Sequence, residues 1–126
     1  MARQYAQIVG IVLLLLGVVG LIMGDPDPLF GALNIDLAED ILHLVLGGLF
    51  AYLGFAKVDN GTVKTVVGAV GVVLLLTGLL GFFVPNPLGI LTHPWTVVDN
   101  LIHLVLGILG IAAGFLLDKD NTVTVR

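Results

Sequence analysis

Four long apolar stretches alternate with short polar segments along the chain. The stretches cover residues 5–23, 41–56, 66–84 and 101–117, and the segments between them hold nearly all of the charge, proline and asparagine. A hydrocarbon core of about 30 Å requires roughly 20 apolar residues in a helix. The pattern therefore predicts an all-α membrane protein with four transmembrane helices.

The second and fourth stretches are short, but the residues before them extend the predicted helices. Asp36-Leu-Ala-Glu39 and Thr96-Val-Val-Asp99 both match a capping box, in which an N-cap oxygen and an acid three residues later satisfy free backbone N–H groups. Helices that begin at these boxes are about 20 residues long, enough to cross a bilayer at 1.5 Å per residue. Between the second and third stretches, Asn60-Gly-Thr62 predicts a tight turn.

The basic residues lie on one side of the four predicted helices. They are Arg3, Lys57, Lys64, Lys119 and Arg126. The two segments on the other side contain six Asp or Glu residues and no Lys or Arg. By the positive-inside rule, we expect both termini in the cytoplasm and the acidic segments outside the plasma (inner) membrane, with Trp95 in an aromatic belt at the outer face.

The two halves of the chain are similar to each other. Ile41-Leu-His-Leu-Val-Leu-Gly47 aligns with Leu101-Ile-His-Leu-Val-Leu-Gly107 at a shift of 60 residues, and Gly10, Gly17 and Gly20 align with Gly71, Gly78 and Gly81 at a shift of 61. We therefore expect one domain, residues 1–126, built from two helical hairpins at 5–56 and 65–117. Because each hairpin returns to its starting side, the repeats are expected to be parallel, about a pseudo-two-fold axis along the membrane normal.

Thirteen of the 17 glycines lie within the four stretches, many of them three, four or seven residues apart. In lipid, small residues at such spacings let helix backbones approach closely. This pattern predicts a compact four-helix bundle.

The composition agrees with a membrane protein and excludes several functions. Apolar residues make up 58% of the chain and charged residues 11%, with a mean hydropathy of +1.13, whereas soluble domains carry about 25% charged residues. Five basic residues and a net charge of -4 argue against nucleic-acid binding. The chain lacks cysteine and serine, which excludes disulfides, thiolate metal sites and a Ser-His-Asp triad.

The repeated stretches carry a family resemblance. Glu39-Asp-Ile-Leu-His43-Leu-Val-Leu-Gly47 and Asp99-Asn-Leu-Ile-His103-Leu-Val-Leu-Gly107 each follow a glycine-containing helix and a Pro-Leu loop. In this they resemble a small bacterial family of four-helix integral membrane proteins catalogued as a domain of unknown function. The resemblance implies a bacterial membrane protein and supplies no activity.

Polar residues recur at equivalent positions near the start of the second and fourth helices. They are Glu39, Asp40 and His43 in the first repeat and Asp99, Asn100 and His103 in the second. In each repeat the three share one helix face, because positions i, i+3 and i+4 are neighbours. Polar groups at this depth are costly to leave unpaired and typical of functional sites. The pseudo-two-fold axis predicts that the two clusters face each other.

Four interpretations of these clusters remain open. In the first, the cluster is structural: Asp36 and Thr96 cap the helices with Glu39 and Asp99, Asp40 and Asn100 bond nearby loops, and the histidines form interhelical hydrogen bonds. In the second, it binds a divalent metal such as zinc, iron or manganese through the histidines and carboxylates. Only Asp40-x-x-His43 has the carboxylate at the usual spacing, because Asn100 replaces it in the second repeat.

The third interpretation is a haem b held by His43 and His103. Gly17, Gly20, Gly78 and Gly81 lie at a similar depth and would leave room for the porphyrin, although no Lys or Arg is nearby to meet the propionates. The fourth is a pathway for protons or ions. His93, in the segment before the fourth helix and without a counterpart in the first half, is expected to be a loop residue.

Taken together, these patterns predict a small membrane protein without enzymatic activity. The structural interpretation is preferred, so no cofactor is expected, with metal or haem as the alternatives. Lipid, other membrane proteins or further copies of the chain are the expected partners, in a membrane assembly or a homo-oligomer.

Overall fold

The structure is a computed structural model that describes residues 1–23, 37–84, 86 and 95–116. It contains four helices, α1 (Ala2–Met23), α2 (Leu37–Phe55), α3 (Asn60–Phe83) and α4 (Val97–Ile111), and α4 continues into a π-helical turn at Ala112–Leu116. All four helices are long and apolar enough to cross a membrane. The described residues contain no strand. The predicted all-α, multi-pass membrane architecture is confirmed.

Capping side chains set where the helices begin. Thr96 and Asp99 form the predicted capping box, with Asp99 N donating to Thr96 Oγ1 at 3.1 Å and Thr96 N donating to Asp99 Oδ2 at 2.9 Å. The matching box at Asp36 lies outside the described residues.

The predicted turn at Asn60-Gly-Thr62 is wrong. Asp59 is the N-cap of α3, and its Oδ2 and Oδ1 accept from Thr62 N at 2.9 Å and Thr62 Oγ1 at 2.8 Å. Because Asp59 satisfies backbone and side-chain donors of the first turn, the helix begins at Asn60, well before the apolar stretch.

Each hairpin consists of two antiparallel helices that meet at glycines. In the first, Gly10 lies so close to α2 that an added Cβ would be 2.6 Å from the backbone nitrogen of Ala51. In the second, a Cβ on Gly71 would be 2.6 Å from the backbone nitrogen of Ile111. Backbone atoms are the nearest neighbours in both places, so only glycine fits without moving a helix.

The bundle has two chemically different ends. We call the end where α1 and α3 finish and α2 and α4 begin the distal end, and the opposite end the proximal end. The main apolar core joins the hairpins mostly in the proximal half. It consists of Ala2, Ala6, Val9, Leu13, Phe50, Leu53, Val63, Val67 and Ala113. Tyr5 adds a polar link between the hairpins, since its hydroxyl donates to the carbonyl of Leu106 at 2.7 Å.

Arg3 closes the proximal end. Its guanidinium donates to the carbonyls of Leu53 at 2.9 Å and Ala56 at 3.3 Å, to the carbonyl of Val58, and to Asn60 Oδ1 at 2.9 Å. The last carbonyls of a helix have no intrahelical partner and carry partial negative charge. Arg3 therefore caps the C-terminus of α2 and holds the α2–α3 connection against α1.

Candidate functional site: a buried polar cluster at the distal end

The predicted site residues lie in the distal half of the bundle, and most are buried. The exposed fractions are 6% for Glu39, 2% for Asp40, 7% for Asp99 and 3% for Asn100, while His43 and His103 are half-buried. We call these six residues the distal polar cluster. The histidines lie six residues into their helices, about 9 Å from the first residue at 1.5 Å per residue. The distal half of the bundle thus has a polar interior where the proximal half has an apolar one.

Glycines on the neighbouring helices make room for this interior. Asn100 packs directly over Gly81 of α3, where a side chain would collide with its amide. A Cβ on Gly78 would lie 2.9 Å from the carbonyl oxygen of Asn100, and one on Gly17 would lie 3.1 Å from that of Asp40. The polar turns of α4 and α2 therefore rest directly on the backbones of α3 and α1.

The space beside these glycines is filled by side chains of the chain itself. A Cβ on Gly17 would be 2.6 Å from Leu44 Cγ, and one on Gly78 would be 2.8 Å from Leu104 Cγ. Gly20 is also buried. Among the described residues, the room that we expected these glycines to leave for a porphyrin is occupied at Gly17, Gly78 and Gly81.

Trp95 joins the two hairpins at the cluster. Its indole nitrogen donates to Glu39 Oε1 at 3.0 Å, and its ring meets the ring of His103 edge to face, with centroids 5.5 Å apart and planes at 74°. One side chain from the second hairpin thus contacts an acid of the first hairpin and an imidazole of its own. Sequence reasoning placed Trp95 in an aromatic belt and missed this role. One feature of the sequence could have indicated it: the two repeats differ at this position, where the first repeat has Ile35 in place of a tryptophan.

The ring of His103 packs against an aromatic side chain. His103 Nδ1 is buried without a hydrogen-bond partner, as is Asn100 Oδ1, so at this nitrogen the interhelical hydrogen bond expected of His103 is missing. The ring contacts Trp95 instead. His43 has at least one interaction of its own. Extensive packing joins α2 to α1 and α4 to α3, but not α2 to α4, and among the described residues Trp95 bridges from one cluster to the other.

The described residues do not form a recognisable metal centre. Across residues 1–23, 37–84, 86 and 95–116, no group of three or more His, Asp or Glu side chains is placed to hold a metal ion. Asp99 is engaged by the backbone of Thr96 and Glu39 by Trp95. His93 and Asp36 lie outside the described residues.

Comparison with known proteins supports the family resemblance and adds no activity. Searches of curated proteins and of solved structures gave no match. Residues 1–56, which contain the first hairpin with α1 and α2, match the family model described as Domain of unknown function (DUF4383).

Proposed function

We propose that this chain is a membrane protein without enzymatic activity that serves as a structural or accessory subunit of a membrane assembly or as a homo-oligomer. The main support is that the polar side chains form hydrogen bonds within the bundle. Arg3, Tyr5 and Trp95 each use their side-chain donors to join parts of the same bundle, while large apolar residues such as Phe83 and Ile22 face outward. The described polar chemistry therefore holds helices together, and the outer faces suit lipid or other transmembrane helices.

We also propose that the two hairpins arose as parallel repeats. The support is that equivalent positions make equivalent contacts. Gly10 meets Ala51 as Gly71 meets Ile111, and Gly47 meets Leu14 as Gly107 meets Leu75. These pairs are related by the shifts of 61 and 60 residues that align the two halves of the sequence.

Mass measurement tests the subunit role and the cofactor alternatives together. We expect native mass spectrometry of protein extracted with its surrounding lipid to give a mass above that of one chain, from further copies or a second protein. The His43→Ala/His103→Ala double variant should melt at a lower temperature without losing any bound mass, because its histidines contribute packing.

The opposite outcomes are distinct. A mass of one chain alone would contradict the subunit role. A bound metal or haem at near-stoichiometric level, absent from the double variant, would establish a cofactor protein. An unchanged melting temperature in the double variant would remove the structural role of the histidines.

The orientation that we propose places the proximal end, with both termini, in the cytoplasm of a bacterial inner membrane. Its support is the positive-inside rule, since Arg3, Lys57 and Lys64 all belong to the proximal end. The chain has no cysteine, so single cysteines report position without background. In intact cells, an impermeant maleimide should label Phe83→Cys at the distal end and label Lys57→Cys only after permeabilisation. Labelling of Lys57→Cys in intact cells would reverse the orientation.

A further inference from the structure

The two hairpins differ at the proximal end, although their sequences align there without a gap. At the shift of 60 residues, residues 52–56 of the first hairpin correspond to Ala112–Leu116 of the second. The end of α2 is α-helical, and the N–H of Ala56 donates to the carbonyl of Tyr52, four residues earlier, at 2.9 Å. The corresponding end of α4 is a π-helical turn. Because the two segments have the same length, the number of residues does not explain the difference.

The helix packed against each end does differ. Gln7 of α1 and Gly68 of α3 are equivalent at the shift of 61 residues. In the first hairpin, Gln7 Nε2 donates to the carbonyl of Gly54 at 2.8 Å and so holds the last turn of α2. Gly68 has no side chain, and the ring of Phe115 lies over it, since a Cβ on Gly68 would be 2.5 Å from Cε1 and Cζ of this ring. An apolar contact in the second hairpin thus takes the place of a hydrogen bond in the first.

The glycine of α3 also lets the end of α4 come closer. A Cβ on Gly114 would be 2.5 Å from the Cα of Gly68. At the equivalent place in the first hairpin, a Cβ on Gly54 would be 3.0 Å from the Cα of Gln7. The π-helical turn therefore accompanies two contacts that the first hairpin lacks, the close approach of α4 to α3 and the ring of Phe115 over a glycine.

The same turn takes part in the contact between the hairpins. Ala113 is 3% exposed and belongs to the main apolar core, and the turn packs against α1 of the first hairpin. A π-helical turn closes its hydrogen bonds one residue later than an α-helical turn. Conversion of one into the other therefore rotates the following residues about the helix axis by about 100°, the angle of one residue. Such a rotation changes which side chains of α4 meet the first hairpin.

We propose that the proximal end of α4 is a conformational switch, in which the π-helical turn converts to an α-helical turn like that of α2. In the π state, the ring of Phe115 covers Gly68. In the α state, this ring turns toward lipid, where the equivalent Phe55 is 62% exposed, and Ala113 leaves the core. The support is that the same length of chain forms the α-helical turn in the first hairpin. π-helical turns within α-helices are frequent at functional sites, and helix shifts between two packed arrangements are a common way to transmit a change.

Distances between spin labels test this switch, because the chain has no cysteine and labels attach only where one is introduced. Leu116→Cys carries the reporting label, and Tyr52→Cys on α2 or Val73→Cys on α3 carries the reference label, all at exposed positions. A rotation of 100° on a helix about 10 Å in diameter displaces the reporting label by about 8 Å. In lipid nanodiscs, pulsed electron paramagnetic resonance should give a main distance from the π state and a second, minor distance from the α state.

Two variants should make the minor distance the main one. Gly68→Ala puts a Cβ where the ring of Phe115 lies, and Gln7 shows that a side chain fits at this position when the facing turn is α-helical. Phe115→Ala removes the ring, and with it the contact that accompanies the π state. Gly48→Ala is the matched control, because nothing lies within 4 Å of a Cβ there, and it should keep the wild-type distances.

The results that would overturn the switch are specific. One is a wild-type protein with a single distance to each reference label. The other is a pair of variants, Gly68→Ala and Phe115→Ala, with the wild-type distribution. Because Phe115→Ala adds no atom to the bundle, its result stands even where Gly68→Ala fails to fold. The switch does not depend on the subunit role, and a single-chain mass with both distances populated would refute that role alone.

Discussion

Replacing Gly71 with alanine is expected to destabilise the bundle by about 3 kcal/mol, toward the upper end of the usual cost of overpacking. The added Cβ would be 2.6 Å from the backbone nitrogen of Ile111 and 2.8 Å from the carbonyl carbon of Gly110. Both neighbours are backbone atoms, so no side-chain rotation relieves the collision and α4 has to move away from α3. Dispersion contacts along the interface are then lost, and in lipid these contacts are the main force between helices.

Reversible unfolding in mixed micelles of mild detergent and dodecyl sulfate measures this loss. Gly48→Ala is the matched control, because nothing lies within 4 Å of a Cβ at Gly48, and alanine there is expected to be neutral or slightly stabilising through its higher helix propensity. Gly10→Ala should resemble Gly71→Ala, since its Cβ would meet Ala51 in the same way. Equal stability of the Gly71 and Gly48 variants would show that the helices tolerate separation.

Replacing Arg3 with glutamine should produce the other large effect, again about 3 kcal/mol. The guanidinium serves four acceptors at the proximal end, among them the carbonyls of Leu53 and Ala56. Hydrogen bonds to charged groups contribute about 1.5–3 kcal/mol each, and unsatisfied acceptors add a desolvation cost. Glutamine has a single side-chain amide group, which cannot donate to all four of these acceptors.

Arg3→Lys separates stability from topology. Lysine keeps the positive charge before the first helix, and so the expected orientation, but it lacks the planar fork that reaches several carbonyls at once. We expect the lysine variant to insert normally and yet lose most of the stability that the glutamine variant loses. Lys57→Gln removes an exposed charge at the same end and should leave the unfolding transition unchanged. A lysine variant as stable as the wild type would reduce the role of Arg3 to charge alone.

Much of the fold was predictable because its causes are local. Hydropathy over about 20 residues requires helices in a bilayer, where each backbone polar group needs an internal partner. The Thr96 capping box was predictable for the same reason, since it joins residues three apart in sequence. The start of α3 was missed because Asp59, a polar residue outside the apolar stretch, determines it.

The sequence predicted which residues form the candidate site, but not which side chain connects the two hairpins there. The shared spacing of Glu39, Asp40 and His43 with Asp99, Asn100 and His103 placed six residues at one depth, and the structure buries most of them there. The repeat suggested that histidines would pair across the bundle. The structure shows a bridge that the repeat did not suggest, Trp95, whose position in the first repeat is occupied by Ile35.

The sequence by itself determined that this chain has four membrane-crossing helices, where two of their caps could form, and which polar residues lie at the same depth. These follow from hydropathy and from spacings within one helical turn. Only the tertiary structure decided that Leu44 and Leu104 fill the space beside Gly17 and Gly78, that Arg3 caps α2, and that Trp95 links Glu39 to His103. These contacts join residues 8 to 56 positions apart, and such distances depend on how packed helices are rotated and offset, which no local pattern specifies.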